Sequence, residues 1–403
     1  MSSFVSPSTI PTATPAQVLR CIGSGEGAGE RSGTCTIIDL RSPGEYADDH
    51  LPGAVNLPLF DDVERSLIGT LYKRESPDKA FSEGRELVSE RISDLFGAIA
   101  EAADWDMPDI DLPARVLEIT SQGIDALTES LRSAPLERMP ENPVILHCWR
   151  GGMRSLSVVA LLRICGFDRA VGVVQGYKGY RKEVAAEIEA WKAPDSFVIR
   201  GYTGVGKTLV LRELERLRPD WTLDLELMAG HRSSILGMVG LEPVTQRHFE
   251  TRLAARIRRL SAVAPNGPLV YEGESRKIGD RILPSPVWSS LQSGTNILLY
   301  ADMETRIDVL IDDYLGRDAN RADLRLQLPF IEKRLGPVKW KGALTALLDA
   351  KADRDLVRLL LEEYYDPLYE HSEKGKSYCH RVEMRCHKQA AAEIAEVIEA
   401  SKS

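Results

Sequence analysis

Two glycine-containing loops constrain the fold of this chain most, because each lies between an apolar strand pattern and a helical pattern. The first follows Val144-Ile145-Leu146 and contains His-Cys-Trp-Arg-Gly-Gly-Met-Arg-Ser at residues 147–155, here called the cysteine loop. The second follows Phe197-Val198-Ile199 and contains Gly-Tyr-Thr-Gly-Val-Gly-Lys-Thr at residues 201–208. A loop that joins a strand to a helix is typical of parallel α/β sheets, which bind ligands at the carboxyl ends of their strands. The sequence therefore predicts two α/β units, each with an anion-binding loop.

The domain organisation follows from these loops, which belong to two unlike units because no internal repeat is visible. We predict a flexible leader over residues 1–15, a first domain over 16–192 and a second domain over 193–403 with a helical C-terminal part. Pro194 marks the boundary. A helical pattern between about residues 61 and 136 predicts an insertion in the first domain, because structureless loops of that length are uncommon.

Composition bounds the class of protein. The 403 residues are 43% hydrophobic and 28% charged, and no apolar run approaches the roughly 20 residues that cross a bilayer. Six cysteines in a chain of this length fit a reducing compartment, so we expect a cytoplasmic protein without a membrane partner. The formal charge of −9 argues against a protein that coats nucleic acid, although it leaves room for a local basic groove. Cys379-His380 and Cys386-His387 fit no common zinc spacing, so no dedicated metal site is predicted.

The cysteine loop has the features of a reactive thiol site. A helix N-terminus supplies N–H groups and positive potential that favour a thiolate. Glycines let the backbone curl towards a bound anion, and an arginine can hold an oxyanion through two hydrogen bonds. We therefore predict Cys148 and Arg154 as catalytic residues. The intervening residues are predicted to bind the anion: Trp149, Arg150, Gly151, Gly152 and Met153. The alternative is a buried structural cysteine before a helix.

The loop alone leaves two chemistries open. His-Cys-x5-Arg-Ser also fits cysteine phosphatases, whose general acid would have to come from Asp61 or Asp62. Upstream, Asp-Leu-Arg-Ser-Pro-Gly-Glu-Tyr at residues 39–46 and His-Leu-Pro-Gly-Ala-Val-Asn-Leu-Pro at 50–58 closely resemble the rhodanese (sulfurtransferase) family. Common sulfurtransferase loops are one residue shorter between cysteine and arginine. We interpret the wider loop as suited to a bulkier donor that carries phosphate or selenium.

The second loop is a P-loop, Gly-x4-Gly-Lys-Thr, in the setting that this motif requires. Its backbone N–H groups are predicted to bind phosphates, Lys207 to neutralise them and Thr208 to ligate Mg²⁺. The predicted diphosphate-binding residues are Gly201, Thr203, Gly204, Val205, Gly206, Lys207 and Thr208. The motif does not identify a nucleotide, since any diphosphate fits it.

Acidic residues after neighbouring strands are candidates for binding Mg²⁺, because P-loop sites recruit such acids. They are Asp224 and Glu226, in a strand predicted over residues 221–227, and Glu272, which ends a strand over 268–272. The polar residues just beyond these strands are predicted to contact substrate: His231, Arg232, Glu274 and Arg276. Each of these groups is equally consistent with a solvated strand end or a cap.

The order of these motifs resembles that of the tRNA 2-selenouridine synthase family over residues 37–370. Further segments that carry the resemblance are Gly-Thr-Leu-Tyr-Lys at 69–73, Gly-Tyr-Lys-Gly-Tyr-Arg at 176–181 and Tyr-Tyr-Asp-Pro-Leu-Tyr at 364–369. The resemblance implies a rhodanese-like domain followed by a P-loop NTPase-like domain. It implies a transferase that replaces the sulfur of a wobble 2-thiouridine in tRNA with selenium from selenophosphate.

The resemblance also implies a prenylated intermediate, S-geranyl-2-thiouridine, made from geranyl diphosphate. It assigns selenophosphate to the cysteine loop and the prenyl diphosphate, with Mg²⁺, to the P-loop. An enzyme that supplies selenophosphate is an expected partner. Basic residues are candidates for contact with tRNA phosphates: Lys178, Arg181, Arg252, Arg256 and Arg259. Tyr180 and Trp340 are predicted to stack on bases. A solvated basic face is the alternative for each basic cluster.

Two other interpretations stay open. One is a sulfurtransferase or cysteine phosphatase fused to a small-molecule P-loop kinase, which would act without tRNA. The other is a nucleotide-gated interaction protein with an inactive first domain. The second predicts loss of the cysteine, the diglycine or the Lys-Thr pair, and all of these residues are present.

Overall fold

The computed structural model describes residues 9–23, 35–316 and 318–401. The chain divides into two compact units, and the division falls after Glu187, close to the boundary predicted after residue 192. Within the described ranges, the helices are too short or too polar to cross a lipid bilayer.

The first unit is built on a six-stranded parallel sheet with the order β3-β2-β5-β6-β1-β4. Its strands are β1 (Ile10–Ala13), β2 (Thr36–Asp39), β3 (Val55–Asn56), β4 (Ser133–Pro135), β5 (Val144–His147) and β6 (Ala170–Val173). Its helices are α1 (Pro15–Ile22), α2 (Pro43–Asp48), α3 (Asp62–Arg74), α4 (Pro77–Ala103), α5 (Leu112–Thr120), α6 (Gly123–Ser130), α7 (Met153–Ile164) and α8 (Gly176–Ala190). The cysteine loop joins β5, an interior strand, to α7.

The predicted leader over residues 1–15 is wrong where the structure describes it. Ile10 and Ala13 are fully buried in β1, which pairs with β4 on one side and β6 on the other. Thr14 then caps α1, since its hydroxyl accepts a hydrogen bond from the Gln17 N–H at 3.2 Å. Residues 1–8 lie outside the described residues. The strand was missed because its pairing partners are more than 100 residues away in the sequence.

The segment between residues 61 and 136 consists mainly of helices α3 to α6, as the apolar pattern predicted. Asp61 caps α3 by accepting a hydrogen bond from the Glu64 N–H at 2.8 Å. From α4, Ile92, Phe96 and Ile99 pack in the same hydrophobic core as β2 and β5 residues. The end of the segment forms β4, so this insertion also completes an edge of the sheet.

The second unit contains a four-stranded parallel sheet with the order β12-β11-β7-β8 and a small antiparallel hairpin, β9-β10. The strands are β7 (Ser196–Arg200), β8 (Leu269–Glu272), β9 (Lys277–Ile278), β10 (Arg281–Ile282), β11 (Thr295–Tyr300) and β12 (His380–Glu383). The helices are α9 (Lys207–Leu217), α10 (Leu225–Ala229), α11 (Gln246–Val263), α12 (Ser285–Ser293), α13 (Met303–Leu315), α14 (Asp318–Leu335), α15 (Ala343–Asp349), α16 (Asp353–Leu359), α17 (Asp366–Glu373) and α18 (His387–Ala400). A π-helix, Leu360–Tyr365, lies between α16 and α17.

The predicted fold class is confirmed, because both units are parallel α/β structures and the C-terminal part is largely helical. The strand predicted over residues 221–227 is wrong. Thr222 makes only an isolated bridge to Val270, and α10 begins three residues later. The Asp224 carboxylate accepts a hydrogen bond from the Leu227 N–H at 2.8 Å. This cap satisfies a free N–H at the helix start and turns the chain out of the sheet.

Candidate active site

The Cys148 thiol lies at the carboxyl end of β5, where the cysteine loop turns into α7. Its residue is only 3% exposed. The Ser155 hydroxyl, in the first turn of α7, donates to the Cys148 Sγ at 3.2 Å. A buried thiolate is stabilised by such a donor and by the positive end of the helix. The hydroxyl donor and the position before α7 are features that a reactive cysteine needs, and the catalytic role of Cys148 stays a prediction.

The cysteine loop is held by close backbone approaches at two glycines. Gly151 has φ +60°, and a Cβ added there would lie 2.1 Å from the Val173 carbonyl oxygen. Gly176 has φ +53°, and a Cβ there would lie 2.3 Å from the Cys148 carbonyl oxygen. The Tyr177 N–H donates to that same carbonyl at 2.9 Å. Only glycine fits both positions, so the start of α8 shapes the cysteine loop.

The other predicted loop residues lie around this turn. The Trp149 ring packs at 5.2 Å from the Tyr177 ring, between centroids, and the Trp149 carbonyl accepts from the Lys178 N–H at 2.9 Å. Arg150 is exposed. Gly152 precedes α7 as its N-cap, and Met153 is the first residue of the helix.

A buried polar network supports the cysteine loop from the β2 side. The Arg41 guanidinium pairs with Asp39 at 2.6 Å and donates to the Asp49 carbonyl oxygen at 2.7 Å. It also lies 3.8 Å above the Tyr177 ring. The Tyr177 hydroxyl donates to the Asp49 carboxylate at 2.8 Å. The sequence prediction assigned no role to this network, although Asp39, Arg41 and Tyr177 lie in the segments that resemble the families named above.

His147 lies next to Cys148 in the sequence but is fully buried, and its Nε2 lies 3.6 Å from the Asp39 carboxylate. Burial lowers the pKa of His147 to about 4, although the Asp39 charge opposes this shift. Burial acts against the charged form of Asp39, but His147 and Arg41 outweigh it and lower the pKa of Asp39. At neutral pH the site therefore contains a neutral imidazole beside a carboxylate.

The Arg154 side chain is partly exposed to solvent and also faces a carboxylate. Its guanidinium lies 3.6 Å from Glu45, which is also 3.2 Å from Arg65. A bound oxyanion would take over the role of Glu45 as partner of Arg154.

The two candidate acids of the phosphatase interpretation both make local backbone hydrogen bonds. Asp61 caps α3, and the Asp62 carboxylate accepts from the Gly44 N–H at 3.0 Å. The Asp62 bond holds α3 against the start of α2. Both carboxylates therefore act as hydrogen-bond acceptors for backbone N–H groups.

The P-loop connects β7, an interior strand of the second sheet, to α9. All of its predicted phosphate-binding residues lie in this turn or at the helix start: Gly201, Thr203, Gly204, Val205, Gly206, Lys207 and Thr208. The Lys207 Nζ donates to the carbonyl oxygens of Gly201 at 3.0 Å and Tyr202 at 3.2 Å. Burial opposes the charge of Lys207, but Tyr369 and nearby carboxylates raise its pKa. The loop therefore presents a cation where a phosphate would bind.

Three carboxylates lie beside the P-loop and form the acidic cluster: Glu226, Glu272 and Glu274. One oxygen from each lies within 4.8 Å of the others. The Thr208 hydroxyl donates to Glu272 at 3.2 Å, and the other Glu272 oxygen is buried without a hydrogen-bond partner among the described residues. Burial raises the pKa of Glu272 to about 8, and Asp224 and Glu274 add to the shift. This set of hard oxygen donors fits Mg²⁺.

The acidic cluster overlaps with the predicted acids but differs in one member. Glu226 and Glu272 both belong to it. Burial and neighbouring carboxylates raise the pKa of each. Glu274, predicted as a substrate contact, is the third member. Asp224 instead caps α10 and lies 3.8 Å from Arg212. The sequence did not show that Asp224 caps a helix, because residues 221–227 were predicted as a strand whereas α10 begins at Leu225.

The remaining predicted substrate contacts have different environments. The Arg232 guanidinium donates to Asp313 at 2.7 Å and lies 4.7 Å above the Tyr314 ring. His231 is half-buried, and burial lowers its pKa. Arg276 is exposed. Arg232 thus links the segment after α10 to α13 and has an internal partner.

The basic candidates for tRNA binding fall into two groups. Lys178 is exposed, and Arg181 lies 3.5 Å from Asp49. In α11, Arg256 pairs with Asp220 at 3.0 Å and Glu215 at 2.7 Å, and Arg259 pairs with the same aspartate. The Arg252 guanidinium donates to the Met228 carbonyl oxygen. A tRNA phosphate would have to compete with these internal contacts.

The predicted stacking of Tyr180 and Trp340 on bases is wrong. Both rings are buried, Tyr180 completely and Trp340 to all but 7%. Tyr180 packs near Tyr177, and Trp340 belongs to the core of the C-terminal helices. Both rings therefore pack against other side chains inside the protein.

The comparisons with known proteins give one matching family model in each of the two units. Residues 194–402, just over half of the chain, match the family described as "tRNA 2-selenouridine synthase AAA domain". The chain belongs to the tRNA 2-selenouridine synthase family. Residues 26–90 match the rhodanese-like domain. The cysteine loop lies beyond that match, so its place in the first unit comes from the pairing of β5 with β2.

Curated relatives in the tRNA 2-selenouridine synthase family align over most of the chain. A protein from Cupriavidus necator is 32% identical over 360 residues, which cover 83% of this chain and 87% of the relative. One from Bordetella bronchiseptica is 31% identical over 372 residues, covering 86% and 90%. One from Nitrosomonas europaea is 28% identical over 374 residues, covering 83% and 88%. Each of the three is named tRNA 2-selenouridine synthase.

Proposed function

We propose that this chain is a tRNA 2-selenouridine synthase that replaces the sulfur of a wobble 2-thiouridine with selenium in two steps. The observation that carries the proposal is the presence of two unlike anion sites in one chain of this family. One is the buried Cys148 with its Ser155 donor. The other is the P-loop with a cationic Lys207 and the adjoining acidic cluster.

The first step is prenyl transfer in the P-loop unit. The thiouridine sulfur attacks C1 of geranyl diphosphate, so a C–S bond forms and the C1–O bond breaks. Diphosphate leaves with the electron pair of that bond, and the proton on N3 of the base passes to solvent. Lys207 and the loop N–H groups bind the diphosphate and stabilise its charge as it leaves. Thr208 and the acidic cluster would hold Mg²⁺, which when bound neutralises further phosphate charge.

The second step is selenium transfer at the cysteine loop. Prenylation converts the sulfur into a thiol that can depart from C2. Selenophosphate, water and S-geranyl-2-thiouridine give 2-selenouridine, geranyl thiol and phosphate, with no oxidant or reductant. Arg154 and the loop N–H groups bind the phosphate of the selenium donor. We place the reaction in the cytoplasm, where reducing conditions keep thiols available, and all six cysteines are free.

Mass spectrometry of nucleosides tests the proposal. Thiolated tRNA is incubated with the protein, geranyl diphosphate and selenophosphate, and the products of wild type, Cys148→Ala and Lys207→Ala are compared. We expect selenouridine from wild type, accumulated S-geranyl-2-thiouridine from Cys148→Ala and neither product from Lys207→Ala. Exposed Cys379 and Lys374 provide matched controls, since their alanine variants should behave as wild type. Unchanged tRNA in every sample would refute the proposal and favour the fused sulfurtransferase and kinase.

A further inference from the structure

The electron balance of the proposed reaction restricts what Cys148 can do. Selenium in selenophosphate and sulfur in a thiolate are both fully reduced. A direct S–Se bond between them would require the loss of two electrons, and the reaction supplies no acceptor. A covalent bond between Cys148 and the donor must therefore involve a different atom of the donor. The electrophilic atom in selenophosphate is phosphorus.

The dimensions of the cysteine loop suit attack on phosphorus. Five residues separate Cys148 from Arg154, one more than in common sulfurtransferase loops. A phosphoryl group needs room for three oxygens around the atom under attack, whereas a single sulfur atom does not. Gly151 curls the backbone with φ +60°, and the loop leads into the N-terminus of the 12-residue helix α7. Both features favour a bound oxyanion.

The environment of the two candidate proton donors, Asp61 and Asp62, agrees with the leaving group. Asp61 and Asp62 are committed to backbone hydrogen bonds, as described above. A phosphatase that expels an alcohol needs a general acid, because an alkoxide is strongly basic. Hydrogen selenide is a far stronger acid than an alcohol, so its anion leaves without help from a general acid. The cysteine loop therefore suits cleavage of a P–Se bond better than cleavage of an alkyl phosphate.

We propose that Cys148 cleaves selenophosphate by forming a phosphocysteine. The Cys148 thiolate attacks the phosphorus of a donor that is protonated on selenium, an S–P bond forms and the P–Se bond breaks, and the hydrogen selenide anion leaves with the electron pair. That anion attacks C2 of S-geranyl-2-thiouridine and displaces geranyl thiolate, which takes a proton from solvent, while the proton on selenium moves to N3 of the base. Water then cleaves the S–P bond, which regenerates the thiolate and releases phosphate. This inference rests on the proposed function and assigns the bond that the cysteine loop breaks.

Ser155 has a specific part in this sequence. Its hydroxyl donates to the Cys148 Sγ at 3.2 Å, so it stabilises negative charge on sulfur. Hydrolysis of the phosphocysteine expels that sulfur as a thiolate and depends on the stabilisation. We expect Ser155→Ala to slow hydrolysis by about 10- to 100-fold, the effect of one lost hydrogen bond to a charged group. The phosphocysteine should therefore accumulate in this variant.

The test uses the full chain and selenophosphate labelled with radioactive phosphorus, followed by rapid denaturation and mass spectrometry of peptides. We expect a phosphoryl adduct on Cys148 in wild type, a larger adduct fraction in Ser155→Ala and none in Cys148→Ser. Ser157→Ala is the matched control, because this hydroxyl donates to the Met153 carbonyl oxygen within α7 and should not affect the adduct.

The outcomes separate this inference from the proposed function. Selenium rather than phosphorus on Cys148 would overturn the phosphocysteine. So would selenouridine made by wild type with no adduct in either wild type or Ser155→Ala, while leaving the synthase function intact. An adduct on Cys148 in a protein that makes no selenouridine would support the P–Se cleavage and overturn the synthase function.

Discussion

Arg306 and Asp366 form a bidentate ion pair that also fixes the P-loop. The Arg306 nitrogens lie 3.0 and 2.5 Å from the two Asp366 carboxylate oxygens. The remaining Nε–H donates to the Thr203 carbonyl oxygen of the P-loop at 2.9 Å. Arg306 is only 5% exposed. Because Asp366 begins α17, the ion pair connects the C-terminal helices to the phosphate-binding turn.

Replacement of Asp366 by asparagine is expected to destabilise the second unit. It leaves the Arg306 guanidinium buried without its counter-charge, which should lower the free energy of unfolding by about 3 kcal/mol. We also expect weaker binding of inorganic diphosphate, since Arg306 positions the Thr203 carbonyl. Denaturant titration and calorimetric titration with diphosphate measure the two effects.

Asp308→Asn is the control for this ion pair. Asp308 pairs with Arg354, and both side chains are more than half exposed. An exposed pair contributes less than about 1 kcal/mol, so this variant should retain nearly all of the stability and the diphosphate binding. Equal losses in the two variants would contradict a special role for the Arg306–Asp366 pair.

Gly176→Ala is expected to disable the cysteine loop while leaving prenyl transfer intact. The new Cβ would lie 2.3 Å from the Cys148 carbonyl oxygen and 2.4 Å from the Gly151 nitrogen, so the loop must move. We expect S-geranyl-2-thiouridine to accumulate and selenouridine to be lost in the nucleoside assay. Gly123→Ala controls for backbone strain, because Gly123 has φ +88° but no atom within 4 Å of the added Cβ. A selenouridine yield equal in the two variants would count against the close contact.

Acid is expected to destabilise the first unit through His147. The folded pKa of this buried imidazole is about 4, against an ordinary value of 6.5. Between these values the unfolded chain binds more protons than the folded chain, so stability rises with pH from about 4 to 6.5 and is lost on acidification. His147→Gln should flatten this part of the pH profile of the free energy of unfolding. An unchanged profile in His147→Gln would contradict this role of the buried imidazole.

Lys178 and Arg256 are expected to respond differently to removal of their charge. Lys178 is exposed, so Lys178→Ala should weaken tRNA binding and reduce its salt dependence by about one phosphate contact, with little loss of stability. Arg256 has partners in Asp220 and Glu215, so Arg256→Ala should mainly lower the free energy of unfolding. Binding measured at several salt concentrations and denaturant titration distinguish the two. A loss of stability in Lys178→Ala would place this lysine in a structural role.

The sequence by itself determined the two anion loops and the parallel α/β class. Each loop consists of adjacent residues, and the apolar strand before it and the helix after it are local patterns. The cysteine, the arginine and the P-loop lysine are therefore identifiable without any distant contact. Glu226 and Glu272 were also found, because acids near strand ends are expected beside a P-loop.

Only the tertiary structure decided which distant residues meet. In the folded chain, Glu274 belongs to the acidic cluster together with Glu226 and Glu272. Arg306 pairs with Asp366, which lies 60 residues further along the sequence. The sequence also did not show that residues 10–13 form the buried strand β1 or that Arg256 pairs with Asp220, because these partners are distant in the sequence. Burial and ion pairing depend on the whole packed chain, and the same residue type can be a solvated side chain or an internal partner. A local pattern does not contain that choice, because its free energy comes from neighbours that only folding brings together.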